Sequence, residues 1–248
     1  MTSASITVQG LLEGTAGAEV ALPAEYRLLA RVSARCESVM REACRQSSVP
    51  VEFLAALTAN ESGGNALAAR FEPAVYTRLQ SLFSAKRKAW GGMRTADLHL
   101  ELREMFRTRG TARHAFPIAR LLASDRAASL AALPDACLRD LATSWGPTQI
   151  MGYQMVNRRG TVRDLLDLPA HYRIALELLS EFADRFQIDV SHEFEPLFRC
   201  WNTGQPDGRT VDPAYVEIGL RRIELYRQML DGRAIAELIL REASAPNG

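Results

Sequence analysis

The chain has 248 residues, 47% apolar and 24% charged, with 30 basic against 29 acidic side chains. That is enough for one large globular domain, and it excludes disorder, collagen and disulfide miniproteins. Near-neutral charge argues against a nucleic-acid surface, which wants a basic excess. No apolar run nears the roughly 18 residues a membrane helix needs.

Residues 1–22 are rich in Gly, Ala, Thr and Val and carry only the acidic charges Glu13 and Glu19. They predict an irregular or short β-like arm. No Lys or Arg precedes Arg27, so there is no positive n-region of a signal peptide, and the chain reads as cytoplasmic at synthesis. From about Ala24 to Ser47 the apolar residues Leu28, Leu29, Val32, Val39, Met40 and Ala43 recur with helical period. Pro50 suits the first turn of a second helix, Glu52 complements its dipole, and Gly63-Gly64 stop it just after Glu61.

A further helix is expected from about Phe71 to Ala85. Residues 86–114 are charged and broken at Trp90-Gly91-Gly92, and they read as a non-helical insertion. Helical patterns resume at 115–131 and after Pro134. Ser144 to Gly152 reads as a turn and short segment. Thr161 is expected to cap a short helix. Pro169 opens an amphipathic helix to about Phe186, with Tyr172, Ala175, Leu176, Leu179 and Phe182 on one stripe. Short helical stretches follow at 192–201 and about 234–242, with a long helix between them from Ala214 to Leu230, capped by Asp212-Pro213. Strand signals are almost absent, so the fold class is mainly α.

Several chemistries have no support. There is no GxGxxG, no GxxxxGK[ST], no GxSxG and no HExxH. His99, His114, His171 and His192 show no ligand spacing, so no metal and no cofactor is expected. Cys36, Cys44, Cys137 and Cys200 form no CxxC pair and read as mostly buried thiols.

Four segments carry candidate chemistry. In Ala59-Asn60-Glu61-Ser62-Gly63-Gly64 a helix ends on a carboxylate followed by glycines. Glu61 shares its helix side with Val51, Leu54 and Thr58, and apolar company lets a carboxylic acid keep its proton. A general acid working on a glycosidic oxygen needs that property. The plain alternative is a surface Glu at a helix end. Ser144-Trp145-Gly146-Pro147-Thr148-Gln149 offers a hydroxyl, bare backbone and an amide suited to sugar hydroxyls and acetamides, or is an ordinary loop packed by Trp145. Trp201-Asn202-Thr203-Gly204 ends a helix on an amide, and Tyr215-Val216 opens one with a tyrosine that the core alone would also explain.

In this order the four resemble the motifs of the lysozyme-like lytic transglycosylase superfamily, which includes soluble lytic transglycosylases, goose-type lysozymes and phage N-acetylmuramidase endolysins. The likeness covers about residues 49–230. Arg70-Phe71-Glu72 and Gln149-Ile150-Met151-Gly152 bring it nearest the phage endolysin subgroup. Trp201 stands where the family usually has Tyr, Thr148 where Met is common, and the stretch from Glu61 to Ser144 is much longer than in the soluble transglycosylases.

The resemblance implies a lysozyme-like helical domain, residues 49–248, with a long insertion at about 80–140 and with residues 1–48 as an arm and helix packing on it. It implies a glycosidase that cleaves the β-1,4 bond between N-acetylmuramic acid and N-acetylglucosamine in the peptidoglycan glycan strand, after release or export of the protein. Glu61 is then the general acid, and Ser144, Gln149, Asn202 and Tyr215 bind substrate or orient Glu61. A lytic transglycosylase needs only this carboxylate, because the muramic 6-hydroxyl closes an anhydro ring. A hydrolase usually needs a second carboxylate to activate water. Glu72 is the first candidate for it, with pairing to Arg70 or Arg78 as its structural alternative; Asp97 and Glu101 are weaker candidates. The basic residues of 86–114 form either a lip for substrate carboxylates or a solvated charged face. Two other classes remain open: an inactive lysozyme-like glycan-binding module, and a helical interaction protein.

Overall fold

A computed structural model describes residues 24–108 and 121–243, without the side chains of 234–243. The fold is mainly helical. In chain order it comprises α1 (Ala24–Cys44), α2 (Val51–Glu61), β1 (Ala69–Phe71), α3 (Pro73–Phe83), β2 (Ala89–Trp90), β3 (Met93–Arg94), α4 (Thr95–Thr108), the single turn α5 (Ala123–Arg126), α6 (Leu133–Leu141), β4 (Thr143–Trp145), β5 (Ile150–Met151), two 3-10 segments (Gly152–Met155 and Val162–Leu166), α7 (Leu168–Phe186), α8 (Phe194–Thr203) and α9 (Tyr215–Ala243). The expected arm at 1–22 lies outside the described residues, as does the 115–120 part of the expected 115–131 helix; over 121–131 that helix is corrected to the single turn α5.

Two apolar cores organise these elements. The first gathers Leu29, Val32, Cys36 and Met40 of α1 with Phe53 to Leu57 of α2, Leu197 and Phe198 of α8, and Ile223 and Tyr226 of α9. The second gathers Leu79, Leu82, Leu98, Leu102, Leu138, Leu141, Trp145 and Ile150. Helix α7 is the wall between them. Tyr172 and Leu179 face the first core, while Ile174, Ala175 and Leu178 face the second. Helix α2 is buried from Phe53 through Ala59, which is why its apolar residues run on every side rather than in a stripe. Among the described residues no disulfide forms, and no helix is long and apolar enough to cross a membrane.

Several expectations are corrected. Phe71 does not start a helix. It ends β1, which pairs antiparallel with β4 in the register Ala69–Trp145, Arg70–Ser144, Phe71–Thr143; the helix begins at Pro73, whose fixed φ suits a first turn. The expected turn at Ser144–Gly152 is a hairpin, β4–β5, completing a three-stranded sheet. The 86–114 stretch is not helix-free: α4 occupies Thr95–Thr108, because Leu98, Leu102 and Met105 form a helical stripe beneath its charges. Its break survives as the β2–β3 hairpin, with Gly91 and Gly92 at φ +57° and +79°. Where two terminal helices were expected, α9 runs unbroken through Gly232, since a lone glycine costs only about 1 kcal/mol in a helix. Thr161 does cap its short helix, in a capping box with Asp164.

Candidate active site

Helix α2 ends on Glu61. Ser62 follows, then Gly63 and Gly64 at φ +62° and +80°, a left-handed pair that side chains rarely adopt. The turn runs close to α1. A Cβ on Gly64 would come 3.2 Å from the Cα of Val32. Glu61 is thereby held at the boundary of the first core.

Burial pushes the Glu61 carboxyl above the usual carboxylate range, against a hydrogen bond from Tyr215 and the positive charge of Arg70, which both lower it. The Tyr215 hydroxyl donates to Glu61 Oε1 at 2.5 Å. Oε2 is therefore the oxygen left to carry the acid proton. Tyr215 is the first residue of α9, and the Asp212 side chain accepts from the Ala214 N–H just before it, at 2.9 Å. The Tyr215 phenol is itself held far above its usual range by burial and by the neighbouring carboxylate.

The β4–β5 hairpin closes against this helix end. Ser62 Oγ donates to the Pro147 carbonyl at 2.7 Å, and the Gly146 N–H donates to the Ala68 carbonyl at 2.8 Å. Within the turn, Ser144 Oγ donates to Gln149 Oε1 at 2.8 Å, and Gln149 Nε2 donates to the Gly146 carbonyl at 2.9 Å. Gln149 sits at φ +56°, so its side-chain bonds hold a backbone conformation that a non-glycine residue seldom takes. Ser144 and Gln149 thus shape the turn beside Glu61 rather than bonding to its carboxylate. Trp201 Nε1 donates to the Thr148 carbonyl at 3.0 Å, which ties the end of α8 to the same turn. Asn202, exposed, stands next to it on the last turn of α8. The four sequence segments therefore meet, joined by named hydrogen bonds.

Glu72 caps the approach to α3, where its N–H donates to the Ala142 carbonyl at 2.9 Å and its carboxylate pairs with Arg70 Nε at 2.7 Å. Arg70, largely exposed, so stands in the fields of both Glu61 and Glu72. Asp97 pairs with Arg94 at 3.2 Å, and Glu101 is buried on α4, whose neighbours are α3, α6 and β3 rather than α2. Of the insertion's arginines, Arg94 and Arg107 are paired with Asp97 and Glu104, while Arg109 and Arg113 lie outside the described residues.

Two supports escaped sequence reasoning. His171, fully buried on α7, stands behind the hairpin turn. Its Nε2 accepts from the Thr148 N–H at 3.2 Å, and its Nδ1 lies 3.0 Å from the Leu165 carbonyl. Burial holds its pKa down to about 4, against that backbone bond, so the ring is neutral and Nδ1 carries the proton. A Cβ on Gly146 would come 2.6 Å from this ring, which explains a glycine at φ +72° there. The second support is Asn60, whose amide Nδ2 donates to the Tyr215 carbonyl at 3.1 Å. Neither leaves a sequence signal stronger than a polar residue near an apolar run.

A groove of about 920 Å³ lies between α1 and α7, lined by Val39, Ala43, Val49 and Leu176 with Glu42 and Arg173 at its rim. It opens where α2 begins, about 15 Å of helix from Glu61, so this groove and the perturbed carboxyl do not coincide. The chemistry of the carboxyl, its phenol and the turn weighs more, because an apolar groove alone dictates no reaction. Among the described residues no group of three His, Cys, Asp or Glu side chains is placed to hold a metal ion. Compared with known proteins, the chain matches no family model, no curated protein and no solved structure.

Proposed function

We propose that the chain is a lysozyme-like glycosidase that cleaves the β-1,4 bond between N-acetylmuramic acid and N-acetylglucosamine in peptidoglycan, with Glu61 as its general acid. One observation carries the reading. A half-buried carboxyl, raised above its usual range, ends a helix and accepts a tyrosine hydroxyl at 2.5 Å, beside the hairpin turn that carries Gln149 and the helix end that carries Asn202. A raised carboxyl holds its proton where an ordinary one has lost it, and can deliver that proton to a leaving oxygen.

In this mechanism Glu61 Oε2 protonates the glycosidic oxygen as the bond to the muramic C1 breaks. The Tyr215 hydroxyl on Oε1 stabilises the carboxylate that remains. Asn202 and the hairpin turn hold the sugar. The pairing of Glu72 with Arg70 supports a route needing one carboxylate, in which Glu61 takes back a proton from the muramic 6-hydroxyl as it attacks C1.

The test is mass spectrometry of purified peptidoglycan digested by the wild type and by Glu61→Gln. The expected result is soluble muropeptides with 1,6-anhydro muramic ends from the wild type, and about 10²–10⁴-fold less from the variant. Reducing muramic ends would redirect the second step to water and to Glu72. No soluble product from the wild type would overturn the assignment in favour of a glycan-binding module or an interaction protein.

A further inference from the structure

Asn60 and Glu61 are consecutive residues on the last turn of α2, and they hold the two ends of one tyrosine. Glu61 takes the Tyr215 hydroxyl at 2.5 Å, and Asn60 takes the Tyr215 carbonyl at 3.1 Å. Behind Asn60 stands Arg222, about two turns along α9 from Tyr215, whose Nη1 donates to Asn60 Oδ1 at 2.8 Å. Behind Arg222 stands Glu25 in the first turn of α1, with Nε to Oε2 at 2.7 Å and Nη2 to Oε1 at 3.2 Å. The Arg222 side chain is only 12% exposed.

The chemistry of this line is directional. A guanidinium only donates, so Arg222 fixes the Asn60 amide with its oxygen toward the arginine and its NH₂ toward Tyr215. The carboxylate of Glu25 takes one edge of the guanidinium, Nε and Nη2, in a fork, which fixes its plane and leaves Nη1 for Asn60. Both the acceptor and a donor of the Asn60 amide are thereby used, and the amide is aimed by an ion pair from another helix.

We infer that Glu25, Arg222 and Asn60 form a strut that positions Tyr215 on the Glu61 carboxylate, making all three positioning residues for the acid. This inference rests on the reading of Glu61 as the general acid. No residue of the strut touches Glu61 through its own side chain; the strut acts through the tyrosine. Loosening it weakens the hydroxyl–carboxylate bond, which favours the charged form, and lets burial raise the Glu61 pKa further.

The same two helices are joined at the other end of α2 by a second ion pair, Arg227 Nε to Glu52 Oε1 at 3.0 Å. That pair reaches neither Asn60 nor Tyr215, so it is a control for simple helix docking. The experiment is a carbon-13 carboxyl NMR titration of Glu61 in the full-length wild type, Arg222→Met and Arg227→Met, with pH profiles of peptidoglycan cleavage on the same samples. Arg222→Met is expected to raise the Glu61 pKa by about half a unit or more and to lower kcat roughly fivefold with KM unchanged, and Arg227→Met to move neither. Should Arg222→Met fail to fold, Asn60→Ala cuts the strut at its middle with the same expectation.

An unchanged Glu61 in Arg222→Met, or equal shifts in the two variants, would overturn the strut. The titration needs no turnover. A wild type that cleaves no glycan while Glu61 still answers to Arg222 would defeat the functional reading and leave the strut standing.

Discussion

The two halves of the molecule are built on different terms. The half around α1, α2, α8 and α9 is built of helices alone, two of them long (α1 and α9), and its core is apolar almost throughout, with Thr58 and Ser33 as its modest polar content. The half holding α3 to α6 mixes helices with hairpins and a single turn, and it buries Glu101, Asp140, Ser124, Thr143 and Thr148. Short elements leave many backbone groups without intrahelical partners. Side chains then satisfy them. Asp140 accepts from the Ala123 and Ser124 N–H groups at 2.6 and 2.9 Å, and its own carbonyl accepts Trp145 Nε1 at 2.9 Å. The lesson is that the first half keeps its polar links, such as Glu25–Arg222–Asn60, at the rim of an apolar core, whereas the second buries polar side chains to satisfy its backbone, with the candidate acid at their seam.

The hardest test of that contrast is steric. Gly152 follows β5, and a Cβ there would meet the Asp140 carbonyl at 2.3 Å and the Leu141 Cα at 2.9 Å, both backbone. Gly152→Ala is expected to cost about 3 kcal/mol or more in urea unfolding, since helix α6 must move. Gly64→Ala, in the long-helix half, meets Val32 at 3.2 Å with φ +80° and is expected to cost about 1–2 kcal/mol. Equal costs would break the contrast.

A pH titration sharpens it. Burial, with a smaller push from the charge of Glu104, raises Glu101 to about 7 from an ordinary 4.5, and its Oε1 has no hydrogen-bond partner among the described residues. Its folded pKa lies above the unfolded one. The stability it allows is full below about 4.5 and is lost as pH rises through 7, by about 3 kcal/mol. Glu101→Gln is expected to remove that loss, as read by melting temperature between pH 4 and 8. Glu37 of α1 runs the other way. Burial works against its charge, but hydrogen bonds from Ser33, Arg41 and Arg233 prevail and lower it to about 2. Its contribution is present above 4.5 and lost as pH falls toward 2, so Glu37→Gln is expected to flatten the acid side only.

The smallest expected effect lies at the seam. Arg70→Gln removes a cation that lowers the Glu61 pKa, so the alkaline limb of the cleavage profile is expected to move up by a few tenths of a unit. Because Arg70 is 70% exposed, the shift is expected to shrink in about 0.5 M salt. An unmoved limb at low salt would separate Arg70 from the acid.

What the sequence disclosed follows the same division. Helices α1, α2, α7 and α8 were legible because their apolar spacing is dense and their ends carry glycine, proline or capping side chains. Helix α4 was hidden because Arg94, Asp97, Glu101, Glu104 and Arg107 mask a stripe of only three apolar residues. Strand β1 was hidden because three exposed residues have no pattern of their own; its partner lies 74 residues away at Ser144. At the candidate site, Glu61 was legible from the helix end and the glycines. Asn60, Arg222 and His171 were not, since each owes its place to a contact more than 20 residues distant.

The bond from Tyr215 to Glu61 also orders events in time. The two residues are 154 apart, so a ribosome that has finished α2 must still make most of the chain before the phenol exists. At about 5–20 residues per second that interval is on the order of ten seconds. Throughout it the Glu61 carboxyl lacks the phenol that the folded protein sets against it. The tyrosine–carboxyl bond of the candidate site therefore forms only once the last described helix has docked, late in completion of the fold.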